Sequence, residues 1–408
     1  MNKSQSSFFW NMLQSIVFSF QTVIFLLIVT RKSDLYIAGV YSITYSVSQM
    51  FVSVGNYSMR SYQVSDAKNR YSFNTYLGSR LVSIGLMLFF CFVYSRFHGY
   101  SREKLIIIAL FTVYRVFEAL EDVYHAQMQK MNYLDVAARN AFFRIIIASF
   151  VFIVLFIMTK NLYLSSGLFA IVSALCFILF NTRIIKRLNL LVKPSFDNVW
   201  SLLLACLPIC LGTFLYNYLS NSPKYAIDAV LTDDVQTIFN IIYLPVFVVS
   251  LLGTFIYNPS IGNMGILWNE SKYSDFFRII KKQILLLIAL AVVVLIGGYW
   301  MGIPVLSLIY GVDLAEYKNV FMLLLCMGIV VAFDAFGNVV LTVMRKQYII
   351  VIAYGLACGI NLAVMNYLVR KYELMGASIA YGISMVVILI IMLVSVLVIF
   401  EKKRSQKI

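Results

Sequence analysis

The chain has 408 residues, of which 61% are hydrophobic and only 12% are charged, with a mean hydropathy of +0.86. Soluble domains contain about 45–50% apolar and about 25% charged residues, so the composition excludes an ordinary soluble domain and indicates an integral membrane protein. The formal charge is +15. Such an excess is typical of basic loops that set membrane topology, and we expect no nucleic-acid partner.

Twelve stretches of the chain are long and apolar enough to cross a membrane as helices. The segments between them are too short to fold as separate domains. The sequence has no GxxxxGK[ST] motif, which would be expected of a built-in ATPase. The predicted spans are 8–30, 34–58, 76–96, 104–126, 136–158, 162–182, 198–221, 234–257, 276–299, 318–342, 347–369 and 376–400.

The distribution of basic residues predicts the orientation of the chain. Twelve spans place both ends on one side of the membrane. The connections on that side carry about twice as many Lys and Arg residues as those on the other side, which predicts that both termini are cytoplasmic. The first apolar run lacks a cleavage site for a signal peptide and is interpreted as a retained first helix.

The six cysteines are scattered through apolar runs. Cys206 and Cys210 lie one helical turn apart without a nearby histidine or further cysteine, so the spacing favours packing residues over a disulfide or a metal site. We expect no metal and no catalytic residue.

An internal repeat divides the chain into two halves. Val116–Lys130 and Ala332–Lys346 align without gaps, with identical residues at Phe117/Phe333, Ala119/Ala335, Val123/Val339, Met128/Met344 and Lys130/Lys346. Six helices per half is an even number, so the repeats are parallel. We therefore predict an N-terminal six-helix lobe over 1–188, a cytoplasmic linker over 189–197 and a C-terminal six-helix lobe over 198–408.

Polar residues concentrate in the first two helices of each half, a pattern expected if two lobes surround a central cavity. Representative side chains are Gln14, Gln49, Asn217 and Asn240, which we predict to meet a polar substrate. The alternative is that these groups form hydrogen bonds between helices.

Charged residues lie within the fourth span, where they are costly. Arg115, Glu118, Asp122 and His125 step by three and four residues and share one helical face. Arg144 on the next span is expected at the depth of Glu118, which predicts a Glu118–Arg144 pair, whereas His125 is expected at the interface. The alternative is that these charges neutralise one another and only hold the lobe together.

Asp334 is the only charged residue between Phe321 and Met344. An acid without a partner inside a membrane is a candidate for coupling to protons or Na⁺, and Glu118 is its counterpart in the aligned repeat. Arg31 with Lys32, and Lys224, follow equivalent helices and could place cations at the outer mouth of the cavity. The alternative for Lys32 and for Lys224 is an ordinary solvated loop lysine.

Several segments together resemble the Wzx-type flippases of the multidrug/oligosaccharidyl-lipid/polysaccharide (MOP) exporter superfamily, and the resemblance covers essentially the whole chain. The segments are Arg31 with Ala38–Ser42, Asp122–His125 with Gln129, Lys130 and Asp135, Pro223–Tyr225, and Tyr372–Ala380. The resemblance implies an all-α protein of the bacterial plasma membrane, with twelve transmembrane helices in two pseudo-repeated six-helix lobes around a central cavity.

The implied activity is the transfer of oligosaccharide repeat units on undecaprenyl pyrophosphate from the cytoplasmic to the outer leaflet, for O-antigen, capsule or exopolysaccharide synthesis. Arg31, Arg144 and Lys224 would attract the phosphates. No cofactor is implied, and the implied partners are the lipid-linked oligosaccharide, membrane lipids, a polysaccharide polymerase and glycosyltransferases. The alternatives are a multidrug/cation antiporter of the same fold, which would favour acidic sites, and a polymerase or ligase, which would favour a long outer loop.

Overall fold

The computed structural model describes residues 3–66 and 69–405, and the described chain is almost entirely helical. Lys68 and Lys407, which contribute to the predicted basic side, lie outside the described residues. The α-helices of the described chain are α1 Lys3–Lys32, α2 Leu35–Asn56, α3 Met59–Ser65, α4 Phe73–Phe97, α5 Arg102–Lys130, α6 Leu134–Thr159, α7 Leu162–Arg187, α8 Val199–Val230, α9 Asp233–Tyr257, α10 Ile261–Asn269, α11 Tyr273–Gly297, α12 Ile303–Tyr310, α13 Lys318–Val343 and α14 Gln347–Ser405.

Short polar residues start four of these helices. The side chains of Asp34, Ser72, Ser101 and Asn161 each accept a hydrogen bond from the backbone N–H three residues later, at 2.9–3.3 Å. These caps satisfy donors that have no partner inside the helix. Helices suit the apolar sequence because they satisfy the remaining backbone groups internally, as hydrocarbon requires.

The helices agree in position with the predicted spans. Ten helical stretches in the described chain are long and apolar enough to cross a membrane. The predicted span 104–126 lies in α5, which is not among these ten stretches because it carries too many charged residues. The predicted spans 347–369 and 376–400 both lie in α14. The backbone of Glu373 (φ 48°, ψ −128°) interrupts α14 between those two spans. The count of twelve spans and the cytoplasmic termini remain predictions.

The first compact unit comprises Met1–Asn217. Its helix α2 is largely buried and packs against α4 and α5, while α1 packs on α6, and α7 packs on α5 and α6. Aromatic rings fill the centre: Phe25 stacks on Phe152 with ring centroids 4.1 Å apart, and Phe111 and Phe169 pack around them.

The second compact unit comprises Tyr218–Ile408 and is built around α13, which packs against α9 and α14. Gly328 permits the contact with α9, since a Cβ atom there would lie 3.0 Å from the Val246 Cα. The buried residues of α11 all lie between Phe276 and Leu287, and none of its later apolar residues is buried.

The predicted linker is attached to the first unit. The Ser195 N–H donates to the Asn74 carbonyl at 3.0 Å, and the Asn74 amide donates to the Lys193 carbonyl at 3.0 Å. The first turns of α8 continue this contact through an apolar cluster. The cluster contains Met59, Tyr71, Tyr76, Leu77, Val123, Val199, Leu202, Leu203 and Cys206. The boundary between the two compact units therefore lies within α8, between Asn217 and Tyr218. The lobe boundaries at 188 and 198, which were inferred from the repeat, remain predictions.

Candidate functional site

The predicted charged face of α5 forms ion pairs inside the first unit. Arg115 is fully buried and lies 2.5 Å from the Glu118 carboxylate one turn along the same helix. Its guanidinium also lies over the rings of Tyr45 and Tyr114, with 4.7 and 5.1 Å to the centroids. The Arg115–Glu118 pair is therefore surrounded by aromatic side chains.

Arg144 pairs with Glu121, so the prediction of a Glu118–Arg144 pair is wrong. Its Nε and Nη2 atoms lie 2.8 and 2.7 Å from the Glu121 Oε2, and its Nη1 donates to the Ser173 hydroxyl at 2.8 Å. Glu118 and Glu121 lie one turn apart on the same helical face, and α6 presents Arg144 to the second of them.

His125 is buried, so its predicted interfacial position is also wrong. Its Nε2 lies 3.1 Å from the Asn181 Oδ1 and 3.8 Å from the Glu121 Oε1. The Asn140 amide donates to the same Asn181 oxygen at 3.2 Å. The polar network therefore links α5, α6 and α7, and it explains why α5 tolerates these residues in an apolar surrounding.

A second group of charges on this unit was missed by the sequence reasoning. Asp122 accepts from the fully buried Arg80 at 2.7 Å and from Arg60 at 3.3 Å, and Arg60 also donates to Gln129. The side chain of Arg60 is one-third exposed. Arg60 is the only charge on α3, and Arg80 and Arg96 are too far apart on α4 to form a periodic pattern. The signal that could have been used was Arg80, which lies inside a predicted span.

The positions at which α5 and α13 end shift the alignment of the two repeats by three residues. α5 ends at Lys130 and α13 ends at Val343, and Glu121 and Asp334 precede these ends by the same number of residues. The structural counterpart of Asp334 is therefore Glu121, whereas the sequence alignment paired it with Glu118. In the same register Ala357 stands where the first unit has Arg144.

Asp334 is 5% exposed, and neither of its carboxylate oxygens has a hydrogen-bond partner in residues 3–66 and 69–405. One turn further along α13, the Asn338 amide donates to the Tyr354 hydroxyl at 3.0 Å. The second unit thus holds a buried acid where the first unit holds a neutralised Glu–Arg pair.

Lys224 lies in an aromatic environment within the second unit. Its ammonium lies 5.5 Å from the centroid of the Tyr243 ring, which stacks on Phe239 and meets Tyr381 edge-on. No carboxylate of the described chain lies within ion-pair distance of Lys224, unlike Arg115 and Arg144. A half-buried cation among aromatic rings can attract an anionic group.

The remaining predicted site residues have different environments. Arg31 is exposed at the end of α1, while Gln14, Gln49 and Asn217 are half-buried. Asn240 is buried, and its amide donates to the Gln236 carbonyl of its own helix at 2.7 Å. The roles of these side chains in binding a substrate remain predictions.

Three buried hydroxyls of α2 form hydrogen bonds with their own helix, so these three groups are not available to a substrate. Thr44, Ser48 and Ser53 donate to carbonyls three or four residues earlier. The sequence predicts that these hydroxyls either face a cavity or form hydrogen bonds between helices. Their hydrogen bonds within one helix match neither expectation.

One further polar side chain was missed. Gln236 is fully buried on α9, and neither amide atom has a partner in the described part of the chain. It lies one turn before Asn240 on the same side of α9. A buried polar group without a partner is costly, so Gln236 joins the candidates for contact with a polar ligand.

Comparisons with known proteins place the fold. No protein-family model and no curated protein matches the sequence. The lipid II flippase MurJ in an inward closed conformation has a TM-score of 0.70 at 14% identity, covering 97% of this chain and 87% of the flippase. An inward-facing multidrug resistance MATE transporter of the MOP superfamily has a TM-score of 0.68 at 12% identity, covering 98% of both chains.

A MOP superfamily transporter from Pyrococcus furiosus, described by the reverse polarity of its binding pocket, has a TM-score of 0.54 at 12% identity, covering 100% of this chain and 96% of that chain. The expected superfamily fold is confirmed, whereas the Wzx subtype is left as a proposal. The chain is a multi-pass membrane protein with the fold of MOP superfamily transporters.

Proposed function

We propose that the chain is a flippase that moves polyprenyl-pyrophosphate-linked oligosaccharides from the cytoplasmic to the outer leaflet of a bacterial plasma membrane. The observation that carries the proposal is Lys224, a half-buried cation without a carboxylate partner in the described chain. Sugar and pyrophosphate groups cannot cross hydrocarbon unaided, because leaving water costs too much free energy. A fixed cation and polar side chains offset that cost.

The fold supports this proposal because it is shared with a lipid II flippase. In the proposed mechanism Lys224 attracts the pyrophosphate, and Asn240 and Gln236 on the neighbouring turns of α9 contact the head group. Arg31 attracts the phosphates at the outer side. Arg144 serves mainly to neutralise Glu121, and any contact with phosphate requires that this pair open.

The coupling role falls to Asp334. A buried carboxylate without a partner exchanges a proton or Na⁺ more readily than Glu118, which already pairs with Arg115. Gln14, Gln49 and Asn217 are proposed to contact the sugar. A polysaccharide polymerase and glycosyltransferases would act on the same lipid-linked units.

The alternative is a multidrug/cation antiporter, which the MATE fold similarity allows. Such a transporter needs acidic groups that face its cationic substrate. Glu118, Glu121 and Asp122 on α5 are instead each paired with arginine, and Lys224 would repel a cation. We therefore favour the anionic, lipid-linked substrate.

The test uses full-length protein in proteoliposomes with a fluorescent undecaprenyl-pyrophosphate-linked oligosaccharide. Lys224→Gln should lower the rate of translocation tenfold or more, because it removes a hydrogen bond from a charged group to the phosphate. Lys224→Arg keeps the charge and should retain most of the rate. The matched control is Lys371→Gln, which removes an exposed lysine that also lies over a tyrosine ring.

Export of a cationic dye without transfer of the lipid-linked probe would overturn the flippase proposal. Wild-type translocation by Lys224→Gln would overturn only the assignment of Lys224 to the phosphate.

A further inference from the structure

A basic rim lies at one end of the second unit, where α11 begins and α14 ends. Phe277 and Phe400 bring the two helices together, with ring centroids 3.8 Å apart. The Lys403 ammonium lies 5.8 Å from the centroid of the Tyr273 ring. We define the basic rim as Lys281, Lys282, Lys402 and Lys403 with Trp268 and Tyr273.

Three lysines of the basic rim are available to a ligand. Lys281, Lys282 and Lys402 are exposed, and no carboxylate of the described chain lies within ion-pair distance of them. The neighbouring bases differ, because Lys272 pairs with Glu270 and Arg278 pairs with Asp275, each at 2.8 Å. The rim therefore keeps a local excess of positive charge.

The basic rim borders an exposed apolar belt. Directly beyond Lys282, α11 presents Leu285 and Val293, which are 67% and 68% exposed. Directly before the rim on α14, Leu397 and Val398 are 51% and 57% exposed. In a membrane these side chains contact acyl chains, so the lysines lie at the depth of the lipid head groups.

The aromatic members of the rim are typical of this depth. The rings of Trp268 and Tyr273 lie 5.0 Å apart, and Trp268 also packs on Phe276 at 5.1 Å. Tryptophan and tyrosine concentrate where hydrocarbon meets the polar head groups. The rings thus lie beside Lys403, and the exposed apolar residues of α11 and α14 follow and precede the lysines of the rim along their helices.

We propose that the basic rim binds an anionic phospholipid of the surrounding membrane. Lys281, Lys282 and Lys402 hold the phosphate, and the acyl chains lie along α11 and α14. Basic pockets between membrane helices commonly recognise such head groups. This site is separate from Lys224 and does not depend on the proposed function.

Quenching of Trp268 by brominated lipid tests the site. The other tryptophans, Trp10, Trp200 and Trp300, are changed to phenylalanine in the full-length protein. The protein is reconstituted in phosphatidylcholine vesicles that contain increasing amounts of either brominated phosphatidylglycerol or brominated phosphatidylcholine. The relative quenching gives the preference of the rim for the anionic lipid.

Each lysine near an anionic surface contributes a factor of about five, so Lys281→Gln/Lys282→Gln/Lys402→Gln should reduce the preference by up to about 100-fold. The charge-matched control is Arg183→Gln/Lys186→Gln/Arg187→Gln on α7 of the first unit, which should keep the preference. Raising NaCl from about 0.05 to about 0.5 M should weaken the preference of the unmodified rim, a measurement that needs no charge variant.

A rim variant that quenches like the parent protein would overturn the proposal. Equal quenching by the two brominated lipids at low salt would do the same. An equal loss in the α7 control would show that total charge, and not the basic rim, attracts the lipid.

Discussion

The Glu121–Arg144 pair joins α5 to α6 in the interior of the first unit. Breaking a buried pair leaves one uncompensated charge, which typically costs about 3–5 kcal/mol. Arg144→Ala should therefore lower the apparent melting temperature, whereas Glu121→Leu/Arg144→Met should recover most of the loss because an apolar pair leaves no buried charge. Thermal unfolding in detergent measures both.

Transport by the same two variants separates structure from substrate binding. If Arg144 only neutralises Glu121, the stable double variant regains transport. If Arg144 also contacts phosphate, the double variant stays impaired although it is folded. Equal stability of Arg144→Ala and the wild type would contradict the structural role.

Asp334 is the counterpart of Glu121 in the second unit, and the opposite result is expected for its replacement. Its carboxylate has no partner in the described chain, so Asp334→Asn should keep or raise stability while transport loses its dependence on an applied proton or Na⁺ gradient. Proteoliposome transport with and without each gradient measures this, with exposed Asp234→Asn on α9 as the control. Unchanged gradient dependence in Asp334→Asn would exclude the coupling role.

The sequence predicted some residues of the site and not their partners. The three-and-four spacing of Arg115, Glu118, Asp122 and His125 predicted a shared face. Asp122 pairs with Arg60 and Arg80 on α3 and α4, apart from the network of Glu121 and His125. The spacing did not determine whether Arg144 meets Glu118 or Glu121, because both lie on that face and the depth of α6 was known only to about one turn. Arg80 was missed because the only other charge on its helix, Arg96, lies in the last turn and forms no pattern with it.

At the scale of elements, the contact between α4 and the linker depends on Gly78. A Cβ atom there would overlap the backbone carbonyl oxygen of Ser195, which cannot move as a side chain does. Gly78→Ala should therefore lower the free energy of unfolding by about 1–3 kcal/mol. The control is Gly85→Ala on the same helix, where no atom lies within 4 Å of the added carbon and alanine should be neutral or stabilising.

Thermal unfolding of the two glycine variants measures the difference between them. An equal effect of both would contradict the contact of the linker with α4.

Asp66 organises the turn between α3 and α4. Its carboxylate accepts from the Arg70 and Tyr71 backbone N–H groups and from the Tyr76 hydroxyl at 2.9–3.2 Å. Burial raises the pKa of Asp66, but these hydrogen bonds and Lys130 outweigh it, so the pKa is lowered from its usual value. A lowered pKa means that the carboxylate stabilises the fold above about pH 4 and loses this effect as pH falls through the folded-state pKa.

Asp66→Asn should therefore lower the melting temperature at pH 7, with a cost of about 1 kcal/mol. The difference from wild type should shrink as pH falls below about 4, because the unfolded chain takes up a proton there, and should become small once pH passes the lowered pKa of the native carboxyl. Melting curves across this range measure the effect, and a difference that is constant with pH would contradict it.

The elements themselves were largely predictable. Long apolar runs determine where helices lie because hydrocarbon leaves the backbone no other partner. Short elements such as α3, α10 and α12 were not predicted, since they extend the predicted spans or lie beside them without an apolar pattern of their own. The binding of the linker to α4 depends on backbone atoms of Asn74 and Ser195, which side-chain patterns do not reveal.

At the scale of the whole molecule, the predicted topology can be tested by labelling. In a chain whose six cysteines are replaced by serine, single cysteines at Lys160 and Lys371 should react with a membrane-impermeant maleimide in intact cells. Cysteines at Lys186 and Glu270 should react only after permeabilisation. All four positions are exposed, so reactivity reports sidedness and not burial. Labelling of Lys186 in intact cells would contradict cytoplasmic termini.

The first turns of α8 pack on the first unit, and this contact determines where the chain could be cut into two co-expressed fragments. A break in the linker would separate Val199, Leu202, Leu203 and Cys206 from Met59 and Leu77, and would leave an apolar surface uncovered on each fragment. Two co-expressed fragments cut there should assemble only if this surface reforms. A cut in the connection between α8 and α9, near Leu231, preserves the cluster within one polypeptide. Split reporters or interrupted translation products should therefore tolerate the later position better than the predicted linker over 189–197.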